Sequence, residues 1–93
     1  MGRKFKLGTL LMTRSVHEKF ENDYEFMKFV MDSFAQYRRG DWGKLCKEDK
    51  AQNEKALKDG LRLMGSYDNG RYRIWFITEW DRSSTTILFP EEY

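Results

Sequence analysis

The side chains best suited to chemistry are concentrated in the stretch ITEWDRSSTT, residues 77–86. Directly after an apolar run it places five acidic, basic and hydroxyl residues: Glu79, Asp81, Arg82, Ser83 and Ser84. Two carboxylates can perform acid–base catalysis when a cleft raises the pKa of one of them. A small antiparallel hairpin offers no visible cleft, so the sequence favours a turn or a contact surface here over catalysis.

The two remaining interpretations, a turn and a contact surface, explain different residues of this stretch. Alternation along a strand puts Glu79 and Asp81 on one face, with Trp80 and Arg82 on the other. We expect residues 81–86 to reverse the chain, because Asp, Ser and Thr side chains bond local backbone amides in turns. The turn explains Asp81 without any function, and it is the favoured interpretation. It explains Trp80 and Arg82 less well, since Trp and Arg are favoured at protein interfaces. Trp80, Asp81 and Arg82 are therefore also candidate partner-binding residues.

A second candidate lies in the loop RGDWGKLC, where Trp42 stands between two glycines. Trp42 either covers the core or is exposed as an anchor for a partner, and we include Asp41 and Trp42 among the candidate partner-binding residues. The loop has too few glycines for a phosphate-binding motif and does not follow a predicted strand. A plain connection between two helices is the simpler interpretation of its backbone.

Neither a catalytic nor a metal site is predicted. His17 and Cys46 are single residues of their types, and a nucleophilic pair would need them adjacent, with a third group to orient the base. A zinc site needs about four ligands, more than one Cys and one His supply. We therefore predict a protein that is not an enzyme and that uses no cofactor.

The bulk composition excludes several classes of function. With 93 residues, 40% hydrophobic and 34% charged, the chain is predicted to be one globular domain, residues 1–93. Its net charge of +2 is too small for a strong nucleic-acid binder, so any DNA binding should be weak and salt-dependent. A single cysteine fits the reducing cytoplasm, and no signal peptide or membrane-length apolar run is present. Aromatic residues reach 16%, which favours an aromatic contact surface for a protein partner.

The elements that position the candidates follow from hydrophobic spacing. We predict helices at residues 16–20 (a short turn capped by Ser15), 23–39 (the principal helix, capped by Asn22) and 47–60, and strands at residues 4–13, 61–67, 72–80 and 85–89. YDNG at residues 67–70 predicts a hairpin with a type I′ turn. The strand at 72–80 is apolar on both faces and should lie inside the sheet. The predicted fold is a two-layer α+β domain of order β-α-α-β-β-β, with an antiparallel sheet packed on the helices.

Three motifs carry a resemblance to a known family. A strand ending in MTR, the loop GDWG, and an ending TEWDRS followed by TTILFP resemble a family of small proteins of plasmids and conjugative elements. Members are often labelled plasmid-related protein or subunit M of a type I restriction system. The label subunit M denotes a methyltransferase, which needs an Asn-Pro-Pro-aromatic catalytic motif. This chain has a single proline, Pro90, which follows Phe89, so the motif is absent and the label does not fit.

The resemblance implies cargo of a mobile genetic element, which must survive restriction and CRISPR immunity. We therefore expect a small cytoplasmic protein that binds and inhibits a bacterial defence nuclease, of the anti-CRISPR or anti-restriction type. Its partner would then be a CRISPR or restriction effector. The alternative is a structural or regulatory accessory protein of the element, acting as a homodimer.

Overall fold

The computed structural model describes residues 5–93. Three helices and a four-stranded sheet form one α+β domain. In chain order the elements are β1 (Thr9–Met12), α1 (Arg14–Asn22), α2 (Tyr24–Arg38), α3 (Lys47–Asp59), β2 (Leu63–Asp68), β3 (Arg73–Thr78), β4 (Ser84–Leu88) and a 3-10 turn (Pro90–Glu92). Within this described part of the chain, no helix has the length and apolar character needed to cross a bilayer.

The helices begin at caps one or two residues away from the predicted ones. Thr13, not Ser15, caps α1, and its hydroxyl accepts a bond from the amide of Val16. Asp23, not Asn22, caps α2 through a 3.1 Å bond from the amide of Phe26. Helix α1 begins two residues before and ends two residues after the predicted turn at 16–20, so it is a nine-residue helix.

The sheet is mixed, which corrects the predicted antiparallel arrangement. Its strand order is β1-β4-β3-β2, and β1 runs parallel to β4 while the other neighbours are antiparallel. Alternation of apolar residues indicates which face of a strand is buried, but it carries no information on the direction of its neighbour. The prediction that β3 lies inside the sheet is confirmed.

The hairpin between β2 and β3 has the predicted position but a different turn. Asp68 pairs with Arg73, so four residues form the loop. A type I′ turn needs positive φ at both central residues. Gly70 has a φ of 90°, but Asn69 does not have a positive φ. The side-chain oxygen of Asn69 instead accepts bonds from the amides of Arg71 and Tyr72. These bonds hold a four-residue loop in place of the predicted two-residue turn.

Helix α2 covers one face of the sheet with aromatic side chains. Tyr37 stacks on Phe76 with ring centroids 5.0 Å apart, and Phe34 stacks on the same ring at 6.1 Å. Gly65 on β2 makes room for this packing, because a Cβ there would lie 2.7 Å from the Tyr37 ring. The buried core is therefore concentrated between α2 and the central strands.

The opposite face of the sheet is covered only in part. Alternation directs Trp75 and Ile77 of β3 away from α2. The C-terminal turn lies on this face: the Tyr93 ring packs edge-on against Trp75 at 5.4 Å, and Arg62 donates a 2.9 Å bond to the Tyr93 hydroxyl. Leu11 of β1 is exposed beside this covered region.

Candidate functional site at the β3–β4 turn

The stretch singled out in the sequence forms a tight connection of five residues, 79–83. The amide of Arg82 donates to the carbonyl of Glu79 at 2.9 Å, and the amide of Glu79 donates to the carbonyl of Ser84 at 3.0 Å. The carboxylate of Asp81 accepts a bond from the amide of Ser83 at 3.0 Å. The turn is shorter than the predicted residues 81–86, because β4 already begins at Ser84.

Arg82 joins this turn to the end of α3. Its Nη1 donates to the carbonyl of Leu61 at 2.6 Å and to two carbonyls of its own turn, those of Glu79 and Trp80, at 3.1 Å. Its Nη2 donates to the carbonyl of Ala56 at 3.1 Å. The carbonyl of Ala56 also accepts bonds from the amides of Gly60 and Leu61, so Arg82 adds a charged donor to a helix end that is already bonded. A cation is favourable at that end of the helix dipole. Arg82 thus stabilises the end of α3 and the turn together.

The backbone at Arg82 has an unusual conformation. Among residues 5–93 it is the non-glycine residue with positive φ, at 60°. Gly8, which has a φ of 68°, lies against this segment: a Cβ on Gly8 would overlap the carbonyl oxygens of Arg82 and Ser83. The conformation persists because four carbonyl contacts and the close approach of Gly8 hold the turn in place.

The consequence is a rigid turn that exposes an indole. Trp80 is 64% exposed, and the neighbouring Leu61 is exposed as well. The carbonyls of both residues accept bonds from the same nitrogen of Arg82, so their backbones are adjacent. We call Leu61, Trp80 and Asp81 the turn patch.

Asp81 gives the turn patch a fixed negative charge. Hydrogen bonds from the hydroxyl and then the amide of Ser83 hold the pKa of the Asp81 carboxyl below its usual range. The side chain is exposed and remains a carboxylate at neutral pH. A salt-bridged corner between Asp81 and Arg82 does not form in the described structure, since the guanidinium binds carbonyls and the carboxylate binds Ser83.

The second candidate, the loop with Trp42, is part of the core. Trp42 is 3% exposed, and its indole N–H donates a 2.9 Å bond to the carboxylate of Glu54 on α3. Its ring packs on Tyr37 at 5.6 Å. Trp42 therefore covers the core and is not displayed as an anchor. Asp41 is exposed, but its carboxylate accepts a bond from the amide of Gly43 and shapes the loop.

Beneath the turn lies a buried chain of hydroxyls, for which the sequence contains no recognisable motif. Thr85 donates to the carbonyl of Leu7 at 2.7 Å, the Thr78 and Thr85 hydroxyls are 2.8 Å apart, and Tyr37 lies 2.7 Å from Thr78. A carbonyl only accepts, so the protons must run from Tyr37 through Thr78 to Thr85. Burial raises the pKa of the Tyr37 phenol, which keeps this donor protonated. Thr78 and Thr85 are fully buried on either side of the turn.

The remaining chemically reactive residues are dispersed. His17 lies on α1 with Nε2 3.4 Å from the carboxylate of Glu21, and Cys46 is exposed at the start of α3. In the part of the chain that the structure describes, no three His, Cys, Asp or Glu side chains are grouped as a metal site would require. A polar cleft between α2 and the β2–β3 hairpin is bridged at Glu25 by Arg71.

Fold and site together define an α+β domain with a mixed sheet and an exposed aromatic turn patch. Comparison of the chain with models of protein families, with curated proteins and with solved structures finds no match. The resemblance to proteins of plasmids and conjugative elements therefore stays a prediction.

Proposed function

We propose that this chain is a cytoplasmic protein-binding protein of a mobile genetic element that inhibits a bacterial defence nuclease, of the anti-CRISPR or anti-restriction type. It performs no catalysis. It acts by covering a surface that the nuclease needs, and the turn patch is the part of the chain that makes the central contact.

The exposed and fixed position of Trp80 carries this proposal. Tryptophan is among the residues that contribute most to binding energy at interfaces. An exposed indole on a mobile loop would lose conformational freedom on binding, and that loss lowers affinity. Trp80 lies instead on a turn whose backbone carbonyls are bonded to Arg82, so little ordering of the backbone is needed when a partner binds.

The charge around Trp80 suggests what kind of surface it contacts. Asp81 in the turn is exposed and Glu79 is half-buried, while the guanidinium of Arg82 is bonded to backbone carbonyls. The exposed Asp59, two residues before Leu61, is flanked by the exposed cations Lys58 and Arg62, so the acidic character of the patch comes from the turn. Surfaces that bind nucleic acid are rich in Lys and Arg. Carboxylates beside an aromatic anchor complement such a surface and disfavour other partners. A nuclease that loses access to its nucleic-acid-binding surface is inhibited without any chemistry.

The assignment to a mobile element comes from the sequence resemblance. TEWDRS is one of the motifs that carry the resemblance, and it includes all of the β3–β4 turn. The motif thus contains two of the three turn-patch residues, Trp80 and Asp81, and also Arg82, which fixes their backbone. This coincidence supports placing the contact of the proposed inhibitor at this turn.

The experiment is an inhibition assay with purified type I and type II CRISPR effectors and restriction nucleases, after affinity capture has identified which of them binds. Trp80→Ala should weaken inhibition of that nuclease at least about tenfold, a loss of about 1.4 kcal/mol in binding. Tyr24→Ala is the matched control, because Tyr24 is a similarly exposed aromatic residue (70%) on α2. It should inhibit as well as the wild-type chain.

Two results would contradict the proposal. One is capture of no nuclease from hosts that carry these systems. The other is equal inhibition by the wild-type chain and Trp80→Ala, which would remove the turn patch from the contact. Both variants should keep the melting temperature of the wild-type chain within a few degrees, because exposed substitutions change stability little.

The alternative function, a homodimeric accessory protein of the element, is favoured by a different observation. Leu10 and Leu11 are exposed on the edge strand β1. Affinity capture separates the two functions: a captured nuclease supports inhibition, whereas self-association alone supports the accessory role.

A further inference from the structure

The two edges of the sheet differ in whether the outward backbone groups of the edge strand are paired. On the β2 edge, the side-chain amide of Asn53 donates to the carbonyl of Met64 and accepts from its amide. Next to it, the amide of Ser66 donates to the carbonyl of Trp42, and the amide of Lys44 donates to the carbonyl of Ser66. This edge is therefore blocked by α3 and the loop before it.

The β1 edge is open among the described residues. The amides of Thr9 and Thr13 donate to carbonyls at the two ends of β4. Backbone groups alternate along a strand, so the N–H and C=O groups of Leu10 and Met12 are directed away from β4. An edge strand with unpaired backbone groups is a template for another strand, and proteins usually protect such edges with charges or proline. β1 reads TLLM and has neither.

The two leucines make this edge apolar on both faces. Leu10 is 43% exposed and Leu11 is 46% exposed, and alternation places them on opposite faces of the sheet. A strand added to β1 would cover both side chains and pair the outward groups of Leu10 and Met12.

We infer that the occupant of this edge is β1 of a second copy of the chain, in antiparallel pairing about a two-fold axis at Leu11. This register keeps each face of the sheet continuous, because it pairs Leu10 with Met12 of the other copy and Leu11 with Leu11. Thr9 is opposite Thr13, which is still extended. The register centred on Leu10 would instead use Gly8, whose φ of 68° is not that of a strand.

Charge agrees with antiparallel self-pairing. Lys6 is exposed before β1. At the other end of β1, Glu92 accepts a 2.9 Å bond from the Thr13 hydroxyl and supplies a negative charge, whereas Glu18 is offset by Arg14, 3.8 Å away. A two-fold axis brings the Lys6 end of each strand to the Glu92 end of the other, and this pairing of opposite charges is favourable.

The dimer would have an eight-stranded sheet with two separated turn patches. The amide of Thr9 donates to the carbonyl of Ser83, so each turn patch lies at the Thr9 end of its own β1. Antiparallel pairing puts the two patches at opposite ends of the new interface. This inference is independent of the proposed inhibition, but it would make the protein bivalent toward any partner.

The first test is the mass in sedimentation equilibrium. The wild-type chain should reach twice its 11.3 kDa chain mass. Leu10→Pro removes an outward N–H and no bond to β4, and proline is tolerated at such an edge position. It should raise the dimer Kd at least about tenfold with an unchanged circular dichroism spectrum, whereas Trp80→Ala should leave the mass unchanged.

The second test reports the register without relying on the proline variant. In a Cys46→Ser background, Leu11→Cys should form an intermolecular disulfide under mild oxidation, because directly opposite Cα atoms in such a pair are about 4.5 Å apart. Leu10→Cys, with nearly equal exposure, is the matched control and should remain a thiol. A wild-type mass of 11.3 kDa up to about 1 mM, or equal cross-linking of both cysteines, would overturn the inference.

Discussion

Removal of the Arg82 side chain should destabilise the fold, although the residue lies in a surface turn. The guanidinium of Arg82 makes four bonds, to the carbonyls of Ala56, Leu61, Glu79 and Trp80. Alanine at this position leaves these carbonyls without their cationic donor and releases the turn from α3. We expect Arg82→Ala to lower the free energy of unfolding substantially more than an ordinary surface substitution does.

The magnitude follows from the geometry of these bonds. A hydrogen bond from a charged donor contributes about 1.5–3 kcal/mol to stability. Nη1 has two hydrogens for three carbonyls, and Arg82 is only half-buried, so about two full bonds are lost rather than four. Freeing the arginine side chain returns up to about 2 kcal/mol of entropy. The net loss is then about 1–4 kcal/mol, or roughly 5–30 °C in melting temperature for a domain of this size.

The assay is urea denaturation followed by circular dichroism, with two matched variants. Arg14→Ala is the control for loss of a cation, because its side chain is 92% exposed and 3.8 Å from Glu18. It should change the free energy of unfolding by less than about 0.5 kcal/mol. Arg82→Gly loses the same bonds as Arg82→Ala but relieves the positive φ of 60°. It should be about 1 kcal/mol more stable than Arg82→Ala.

The comparison of these variants can refute the structural role. If Arg82→Ala loses no more stability than Arg14→Ala, the guanidinium is not bonded to the four carbonyls in solution. The guanidinium would then be free to contact a partner, and Arg82 would be interpreted as a partner-binding residue and not as a structural one.

Three further predictions concern the core and the caps. Trp42→Ala should cost about 3–5 kcal/mol in unfolding free energy because the indole is buried, whereas Trp80→Ala should cost less than about 1 kcal/mol; equal losses in denaturation would contradict the assignment. Thr85→Val should cost about 2–3 kcal/mol, since it leaves two buried groups unpaired, and Thr85→Ser should cost clearly less in the same measurement. Tyr72 donates to the Asp23 carboxylate and is the largest cause of its lowered pKa. The stability contributed by the Asp23 carboxylate is therefore complete above its usual pKa of about 4 and is lost as pH falls through the lowered value. Melting curves from neutral to acidic pH should show a smaller loss of stability in acid for Tyr72→Phe than for the wild-type chain. An identical loss in both would refute the assignment.

Local signals in the sequence predicted much of the fold. The principal helix, the central position of β3 and the end of α3 at Gly60 follow from spacing and backbone preference, and the structure confirms them. The predicted N-cap residues, Ser15 and Asn22, were wrong because nearby residues were equally good candidates. The observed caps are Thr13 and Asp23. Local chemistry cannot choose between such neighbours without the packing of the helix that follows.

Contacts between distant segments could not be predicted in the same way. Asn53 looks like a solvated helix residue in the sequence, yet it is buried and pairs with the backbone of β2. Whether β1 runs parallel or antiparallel to β4 depends on the path of the long segment between them, which includes all three helices. Likewise, no local pattern indicates that the guanidinium of Arg82 donates to the carbonyls of residues 21 and 26 positions earlier in the chain.

The structure of the turn also decides how its function must be tested. Arg82 fixes the backbone on which Trp80 and Asp81 are displayed, so a variant that lacks Arg82 loses stability and the arrangement of the patch together. Loss of inhibition in Arg82→Ala would therefore not identify a contact. Trp80→Ala removes the exposed ring and keeps all four carbonyls bonded, because residue 80 contributes only its backbone carbonyl to one of these bonds and its side chain to none. An inhibitor that loses activity in Trp80→Ala at unchanged stability binds through the turn patch, and one that loses activity only in Arg82→Ala does not.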